Sequence, residues 1–319
     1  MNINRGLLFW GLALITAGAV ALLVQQDVID RGIFSDWWRL WPLILIVIGL
    51  AIILARTPFA VVGTVLAAVL LGVAGGALVT TGVSINCGGN LPTDLQTQKG
   101  SFTGSDASVL LDFNCGRLDV STVSGSDWEA RTGVTGNRDI RLSSDADSLT
   151  IRSPEGGFGW NEGRQRWEVD LGSEVTYDLD INGNAADGTF DLAGGSFSRL
   201  NIDPNAISMT VILDGASVSD FGLSMNAGSA KFRTDADTDL AGSIDMNAGS
   251  IDFCTAPGAA VRFRVDANIT FSHNLDDSNL GRSGDTWRSD NFEGADHVID
   301  LTLSGNAASF TLNPQGGCS

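Results

Sequence analysis

Residues 1–83 hold three long apolar runs, and no other feature limits so strongly what this chain can fold into. Residues 6–24 contain no charged side chain, and a helix rising about 1.5 Å per residue would nearly cross a bilayer core there. Further apolar runs occupy residues 38–55 and 59–83. The sequence therefore predicts a transmembrane module at 1–83 with three α-helices. A cleaved signal peptide is the alternative for the first run, but the apolar runs that follow favour membrane helices.

Side chains near the second and third runs indicate how these helices meet their surroundings. Trp37, Trp38 and Trp41 lie at the start of the second run, and indoles favour the membrane surface because the ring is apolar while its N–H needs a polar partner. Gly72 and Gly76 form a G-x-x-x-G pair in the third run, which lets another helix approach closely. That approach serves packing within the three-helix module or, alternatively, dimerisation.

Positive charges near the helix ends predict the orientation of the module. Arg5 and Arg56 flank the ends that we assign to the cytoplasm, while the loop at 25–36 is net acidic. Three spans from an inside N-terminus place the rest of the chain outside. We therefore expect a multi-pass protein of the cell membrane with its C-terminal domain outside, and the inverted topology is the alternative.

The remainder of the chain is polar and strongly acidic. Beyond residue 83 it carries 15 basic and 34 acidic side chains, and such a surface repels phosphate backbones and anionic headgroups. Nucleic acid is therefore excluded as a partner, and cationic partners fit better. Residues 84–100 show no apolar period and are predicted to be a linker. Residues 101–319 are predicted to form one β-rich domain, because apolar and polar residues alternate at 108–113, 148–152, 167–171, 175–181 and 298–303.

An internal repeat organises this domain. Residues 224–230 recur as residues 245–251, with weaker copies on either side. A strand, a glycine-containing corner and another strand fit one unit, which predicts a β-solenoid or a flattened stack of strands; a β-sandwich is the alternative. The repeated Asn226 and Asn247 either form a ladder or bind a ligand. We favour a structural corner, where Gly and Asn tolerate positive φ.

Four cysteines follow the membrane module and none lies in a C-x-x-C pair, which argues against zinc and thioredoxin-type chemistry. Cys87, Cys115, Cys254 and Cys318 allow two disulfides in any of three pairings. Four buried free thiols are the alternative.

Little in the chain suggests catalysis. Its two histidines, His273 and His297, lie in no metal or nucleophile motif, so we predict no enzyme, no catalytic residues and no cofactor. Residues 235–239 resemble the opening of a calcium loop, but Leu240 and Met246 stand where glycine and glutamate are required. We interpret this segment as a solvated turn and predict no metal site.

A glycine-rich segment at 156–167 is the most unusual candidate surface. It contains Phe158, Trp160 and Trp167, and aromatic rings in such a loop can stack on a sugar or a partner protein. The alternative is that the segment folds over an open end of the strand stack as a cap.

Two stretches resemble known families. Residues 5–56, with GLLFWGL at 6–12 and FSDWWRLWPLILIVIGL at 34–50, resemble the LiaI/LiaF-type transmembrane region of bacterial envelope-stress proteins. The WEVDL stretch at 167–171, followed by successive Ala-Gly-Ser corners, is similar to provisionally named adhesin domains of unknown function, including the LiaF C-terminal domain. LiaF itself is expected to have more than the three helices counted here.

The resemblance implies a non-enzymatic, membrane-anchored envelope protein that senses or regulates envelope stress through its β domain and its membrane helices. The implied partners are membrane lipid and a membrane sensor kinase. The alternative is a surface adhesin or structural module that binds cell-wall glycan. No catalytic residue carries over from the family.

Overall fold

The structure, a computed structural model, describes residues 11–12, 15–16, 90–135, 139–154, 163–266 and 271–318. The chain divides into two compact units, Met1–Asn86 and Cys87–Ser319. In the first unit, residues 11–12 and 15–16 are helical.

Most of the predicted membrane module lies outside the described residues. This holds for the greater part of the helix at 6–24 and for both helices at 38–55 and 59–83, together with Trp37, Trp38, Trp41, Gly72 and Gly76. Within the part of the chain that the structure describes, no helix is long and apolar enough to cross a membrane.

The second unit consists mostly of β-strands, as the alternating pattern predicts. In chain order they are β1 (Gln96–Ser101), β2 (Asp106–Val123), β3 (Asp127–Val134), β4 (Arg141–Ser144), β5 (Ser148–Arg152), β6 (Gln165–Gly172), β7 (Thr176–Asp191), β8 (Ser196–Ile212), β9 (Ser217–Arg233), β10 (Asp239–Cys254), β11 (Val261–Val265), β12 (Ser272–His273), β13 (Gly281–Ser283), β14 (Thr286–Arg288) and β15 (Ile299–Leu312). All belong to one large sheet, and the five predicted strand segments fall on β2, β5, β6, β7 and β15.

Six long strands, β2, β7, β8, β9, β10 and β15, lie side by side in that order and run parallel. Ser208 of β8 pairs with Ser229 of β9, which lies 21 residues further along the chain. Ala227 of β9 pairs with Ala248 of β10 at the same offset. The offset of the sequence repeat therefore equals the offset between paired residues on neighbouring strands. Each repeated position forms a column of like residues from strand to strand.

Each long strand bends at its middle, and its two halves enclose the core. Phe221 and Phe232 lie near opposite ends of β9, yet their ring centroids are 5.8 Å apart. A straight strand would separate them by about 36 Å. Across strands, Phe232 stacks on Phe253, and Phe253 stacks on Phe310, at 5.6 and 6.0 Å. The interior is thus a layer of aromatic and aliphatic columns between two polar outer faces.

Shorter strands complete both ends of the stack. At one end β5 and β6 pair with the two halves of β2, and at the other β11 and β12 pair with the two halves of β15. Antiparallel strands then extend the sheet: β4 on β5, β3 on β6, β1 on β3, β14 on β11 and β13 on β14.

The predicted linker at 84–100 is wrong for its last residues, because β1 begins at Gln96. The strand pairs antiparallel with β3, from Gln96 opposite Thr132 to Ser101 opposite Asp127. It lies at the edge of the sheet with mostly exposed side chains, so it carries no apolar alternation. Backbone pairing with a neighbour distant in sequence, invisible in a local pattern, makes it a strand.

Candidate functional site

Six asparagines form a continuous ladder along the corner at which the long strands bend. Each donates from its amide Nδ2 to the Oδ1 of the previous one: Asn184 to Asn114 at 2.8 Å, Asn205 to Asn184 at 2.7 Å, Asn226 to Asn205 at 2.8 Å, Asn247 to Asn226 at 2.9 Å, and Asn306 to Asn247 at 2.9 Å. The ladder that the repeat suggested is therefore present. Each interior asparagine donates one hydrogen bond to one neighbour and accepts one from the other, which assigns these residues a structural role.

In three of the six long strands, a glycine with positive φ stands two residues after the ladder asparagine. Gly228 and Gly249 both have φ +135°, and a Cβ on either would lie 2.0 Å from a carbonyl oxygen of the preceding strand. The prediction of positive φ is thus right for glycine and wrong for the ladder asparagines. Among the described residues, Asn279 and Asn313 are the non-glycine residues with positive φ, and neither belongs to the ladder.

A groove of about 450 Å³ runs beside the ladder, and we call it the corner groove. Its lining consists of polar residues together with one glycine and one proline: Asp112, Asn182, Gly183, Asn184, Asp203, Pro204, Asn205, Ser224 and Asn226. Asn201 donates to the Asp203 carboxylate at 2.8 Å. Because neighbouring strands are about 4.8 Å apart, the groove presents a regular row of carboxylate, amide and hydroxyl groups.

The chemistry of the corner groove suits binding. None of its lining residues is a histidine, cysteine or lysine, so it offers no imidazole, thiol or amine side chain. Since the ladder amides satisfy each other, the groups left for a ligand are those of Asp112, Asn182, Asp203 and Ser224. An extended ligand with hydroxyl or cationic groups at strand spacing would match them.

Sequence reasoning did not predict this row of polar groups beside the ladder, although the sequence contains a signal for it. A polar residue stands two positions before a ladder asparagine in four successive long strands, as Asp112, Asn182, Asp203 and Ser224. Residues two apart in a strand lie on the same face, so a polar-x-Asn repeat indicates a second polar row beside the ladder.

The segment at 235–239 is a turn whose carboxylates are used internally. Asp235 accepts hydrogen bonds from the Gly215 N–H and the Thr238 hydroxyl, both at 2.8 Å. Burial raises the pKa of Asp235, but these hydrogen bonds outweigh it and leave the pKa below its usual range. Asp239 lies 2.8 Å from His297 Nδ1, and this hydrogen bond raises the pKa of His297.

Residues 236–237 form a turn, as interpreted, and the carboxylates of Asp235 and Asp239 have partners within the protein. Within the described ranges, no group of three or more His, Cys, Asp or Glu side chains is placed to hold a metal ion.

Trp167 is not a surface contact, and the prediction is wrong for this residue. Its side chain is fully buried, and its ring packs edge to face on Phe113 at 5.0 Å between centroids. Trp167 lies on β6, where every second residue faces the core, so the alternation of WEVDL already placed it inside. Phe158 and Trp160 lie outside the described residues.

Three of the four cysteines are described, and all three are disulfide-bonded. Cys254 and Cys318 form one disulfide, with 5.6 Å between their Cα atoms. Cys115 is buried and also disulfide-bonded, whereas Cys87 lies outside the described residues. The alternative of free thiols therefore does not hold for these three.

Comparison with known families gives one match in each of the two units of the chain. The family model described as the N-terminal domain of toast_rack, DUF2154, matches residues 92–235. Residues 92–235 are therefore similar to the toast_rack family. Residues 8–53 match the LiaI-LiaF-like transmembrane region, as the tryptophan-rich segment predicted. The corner groove lies wholly inside the toast_rack match, and neither family model describes an enzyme.

Solved structures similar to this chain come from proteins provisionally assigned to adhesion. A cell adhesion protein so assigned, from Clostridium sporogenes, has 12% identity and a TM-score of 0.39, covering 68% of this chain and 98% of its own. An adhesin so assigned, from Bacteroides fragilis, has 10% identity and a TM-score of 0.28, covering 70% of this chain and 100% of its own. No curated protein matches the sequence.

Proposed function

We propose that this protein is a membrane-anchored component of the bacterial cell envelope that senses or regulates envelope stress by binding rather than by catalysis. The observation that carries this proposal is the union in one chain of a LiaI-LiaF-like transmembrane region at 8–53 and a toast_rack β domain at 92–235. In this proposal the β domain receives the signal, and the membrane helices pass it to a sensor kinase within the lipid bilayer.

The proposed topology is multi-pass with the β domain outside the cell membrane. The disulfide bonds at Cys115 and between Cys254 and Cys318 support it, because disulfides persist in oxidising compartments and are rare in the cytosol. Labelling of intact cells with a membrane-impermeant thiol reagent, with and without prior reduction, tests it. Labelling only after reduction is expected. Labelling that needs cell lysis but no reductant would show the inverted topology.

The corner groove is the proposed receiving surface. It is polar and carries two carboxylates, so it fits a ligand with hydroxyl or cationic groups. The test is an envelope-stress reporter in a deletion strain that is complemented with variants of the full chain. Asp112→Asn combined with Asp203→Asn should abolish induction at unchanged protein level. Asp220→Asn combined with Asp285→Asn removes two exposed carboxylates elsewhere and should induce normally. Normal induction by both double variants would refute a role for the groove.

Adhesion through cell-wall glycan is the second candidate, favoured by the regular polar row of the corner groove. The described residues expose two large apolar side chains, Ile15 and Val123, and neither is aromatic. Stacking on a sugar would therefore rely on Phe158 or Trp160. Glycan binding that is lost in Phe158→Ala and Trp160→Ala, with normal stress induction, would favour adhesion over regulation.

For the architecture, we infer a solenoid rather than a sandwich. Consecutive long strands such as β8, β9 and β10 are parallel at an offset of 21 residues, and the two halves of a single strand face each other across the core. A sandwich of antiparallel sheets offers neither relation.

A further inference from the structure

A second groove, at the opposite end of the sheet from β1, is lined by four arginines. Its volume is about 510 Å³, and Arg262 and Arg264 of β11, Arg282 of β13 and Arg288 of β14 line it with neutral hydroxyl residues and Asp290. We call it the arginine groove. In a region with 15 basic and 34 acidic side chains, four arginines at one groove are a strong local departure from the overall charge.

The strand register brings three of these arginines onto one face. Arg262 pairs directly with Arg288 across the antiparallel β11–β14 ladder, and Arg264 lies two residues along the same strand. Phe263, between Arg262 and Arg264, and its cross-strand partner Trp287 point to the core and are buried. Like charges placed directly opposite each other destabilise a sheet, so this arrangement needs a compensating anion.

Acidic side chains pair with three of the four arginines and fix the guanidinium orientations. Nη1 of Arg282 donates to Asp276 at 3.1 Å. Both Nε and Nη2 of Arg262 donate to Asp300, and the guanidinium lies 4.6 Å from the ring centroid of Phe292. Nη1 of Arg288 donates to Glu293 at 2.6 Å. Several N–H groups of Arg262 and Arg288 remain without a partner among the described residues.

Arg264 differs from its neighbours. Its side chain is exposed, and it has no ion pair or hydrogen bond within the part of the chain that the structure describes. Three neighbouring guanidinium groups are oriented by carboxylates, and Arg264 adds a fourth that has no carboxylate partner among the described residues. The groove is therefore organised to receive a negatively charged group. Ser283 and Thr286 add hydroxyl donors to the same lining.

We propose that the arginine groove binds a phosphate monoester or phosphodiester. A guanidinium presents a planar fork of N–H donors that matches the oxygens of phosphate, and several forks around one ligand suit a phosphate better than a carboxylate with two oxygens. The volume leaves room for the esterified group. The acidic remainder of the domain repels long polyanions, so the ligand is a small phosphate ester or a single lipid headgroup. This site is independent of the proposed stress role.

Calorimetric titration of the full chain in a neutral detergent tests the proposal. The probes are inorganic phosphate, glycerol 3-phosphate, dihexanoyl phosphatidic acid and, as a carboxylate control, acetate. Saturable binding of the phosphates and none of acetate is expected. Similar affinities for glycerol 3-phosphate and the short lipid indicate a free ester as the source, whereas clearly tighter binding of the lipid indicates a headgroup.

Matched variants identify the site. Arg264→Gln should weaken phosphate binding by about tenfold or more, because a hydrogen bond to a charged group is lost, and an exposed side chain without a partner is not needed for folding. Arg288→Gln should weaken binding similarly. Arg199→Gln, an arginine paired with Asp178 outside the groove, should bind as the parent does. Absence of saturable binding, equal binding of acetate, or unchanged binding in both groove variants would overturn the proposal.

Discussion

Removing one rung of the asparagine ladder should reveal how much the corner contributes to stability. Asn226 donates to Asn205 at 2.8 Å and accepts from Asn247 at 2.9 Å, so Asn226→Ala deletes two amide hydrogen bonds. The ladder is exposed at this rung, so water can solvate the two amides that lose a partner. With a net contribution of about 1 kcal/mol from each neutral hydrogen bond, the free energy of unfolding should fall by about 2 kcal/mol.

The first rung of the ladder calibrates this value. Asn114 accepts from Asn184 at 2.8 Å and donates to no other rung, so Asn114→Ala removes one ladder bond and should cost about 1 kcal/mol. Asn182→Ala is the matched control. Its side chain lines the same groove and makes no hydrogen bond within the described ranges, so its effect should stay within about 0.5 kcal/mol.

Equilibrium urea unfolding of the full chain in detergent, followed by circular dichroism, measures all three variants. The midpoint should shift in the order Asn226→Ala, Asn114→Ala, Asn182→Ala, with an unchanged dependence on urea. If Asn226→Ala were no more destabilising than Asn182→Ala, the ladder bonds would contribute nothing beyond solvation. The reasoning that each ladder bond adds about the same stability would then be refuted.

Three further predictions concern the corner glycine, one histidine and the disulfide. Gly228→Ala should destabilise the domain by about 3 kcal/mol, because its Cβ would overlap a backbone oxygen. Gly215 has φ +63° and open space around it, so Gly215→Ala should cost about 1 kcal/mol in the same urea assay. The pKa of His297, measured by NMR titration, should lie above its usual value and return towards it in Asp239→Asn. The contribution of the His297–Asp239 pair to the stability of the fold is complete below about pH 6.5 and is lost as pH rises through the raised pKa. Cys254→Ser opens a loop of 64 residues and should cost about 4 kcal/mol of unfolding free energy, which thermal unfolding with and without reductant can check.

Local patterns predicted the parts of the fold that depend on near neighbours. Ser148–Arg152 was predicted to its ends, because β5 alternates apolar and polar residues over its whole length. The internal repeat predicted the columns, including the ladder through Asn226 and Asn247. Trp167 was misjudged because the glycine-rich composition around it was weighted above its place in an alternating strand.

The arginine groove could not be predicted, for a different physical reason. Arg262 and Arg288 meet only because β11 and β14 pair antiparallel across an intervening segment, and no local period reports such pairing. The edge strand β1 was missed for the same reason, since a strand stabilised by backbone pairing alone leaves no mark in its side chains.

The constant register of the stack bears on how such a domain can change in evolution. Duplicating one repeat would add a rung to the ladder, the groove and the aromatic columns together, lengthening the domain by about 4.8 Å without a new packing problem. Between β10 and β15 the offset grows to 59 residues, from Asn247 to Asn306, and the columns continue unbroken. The inserted residues carry the arginine groove. The stack can therefore gain repeats, or insertions between its strands, while the packing of its interior stays the same.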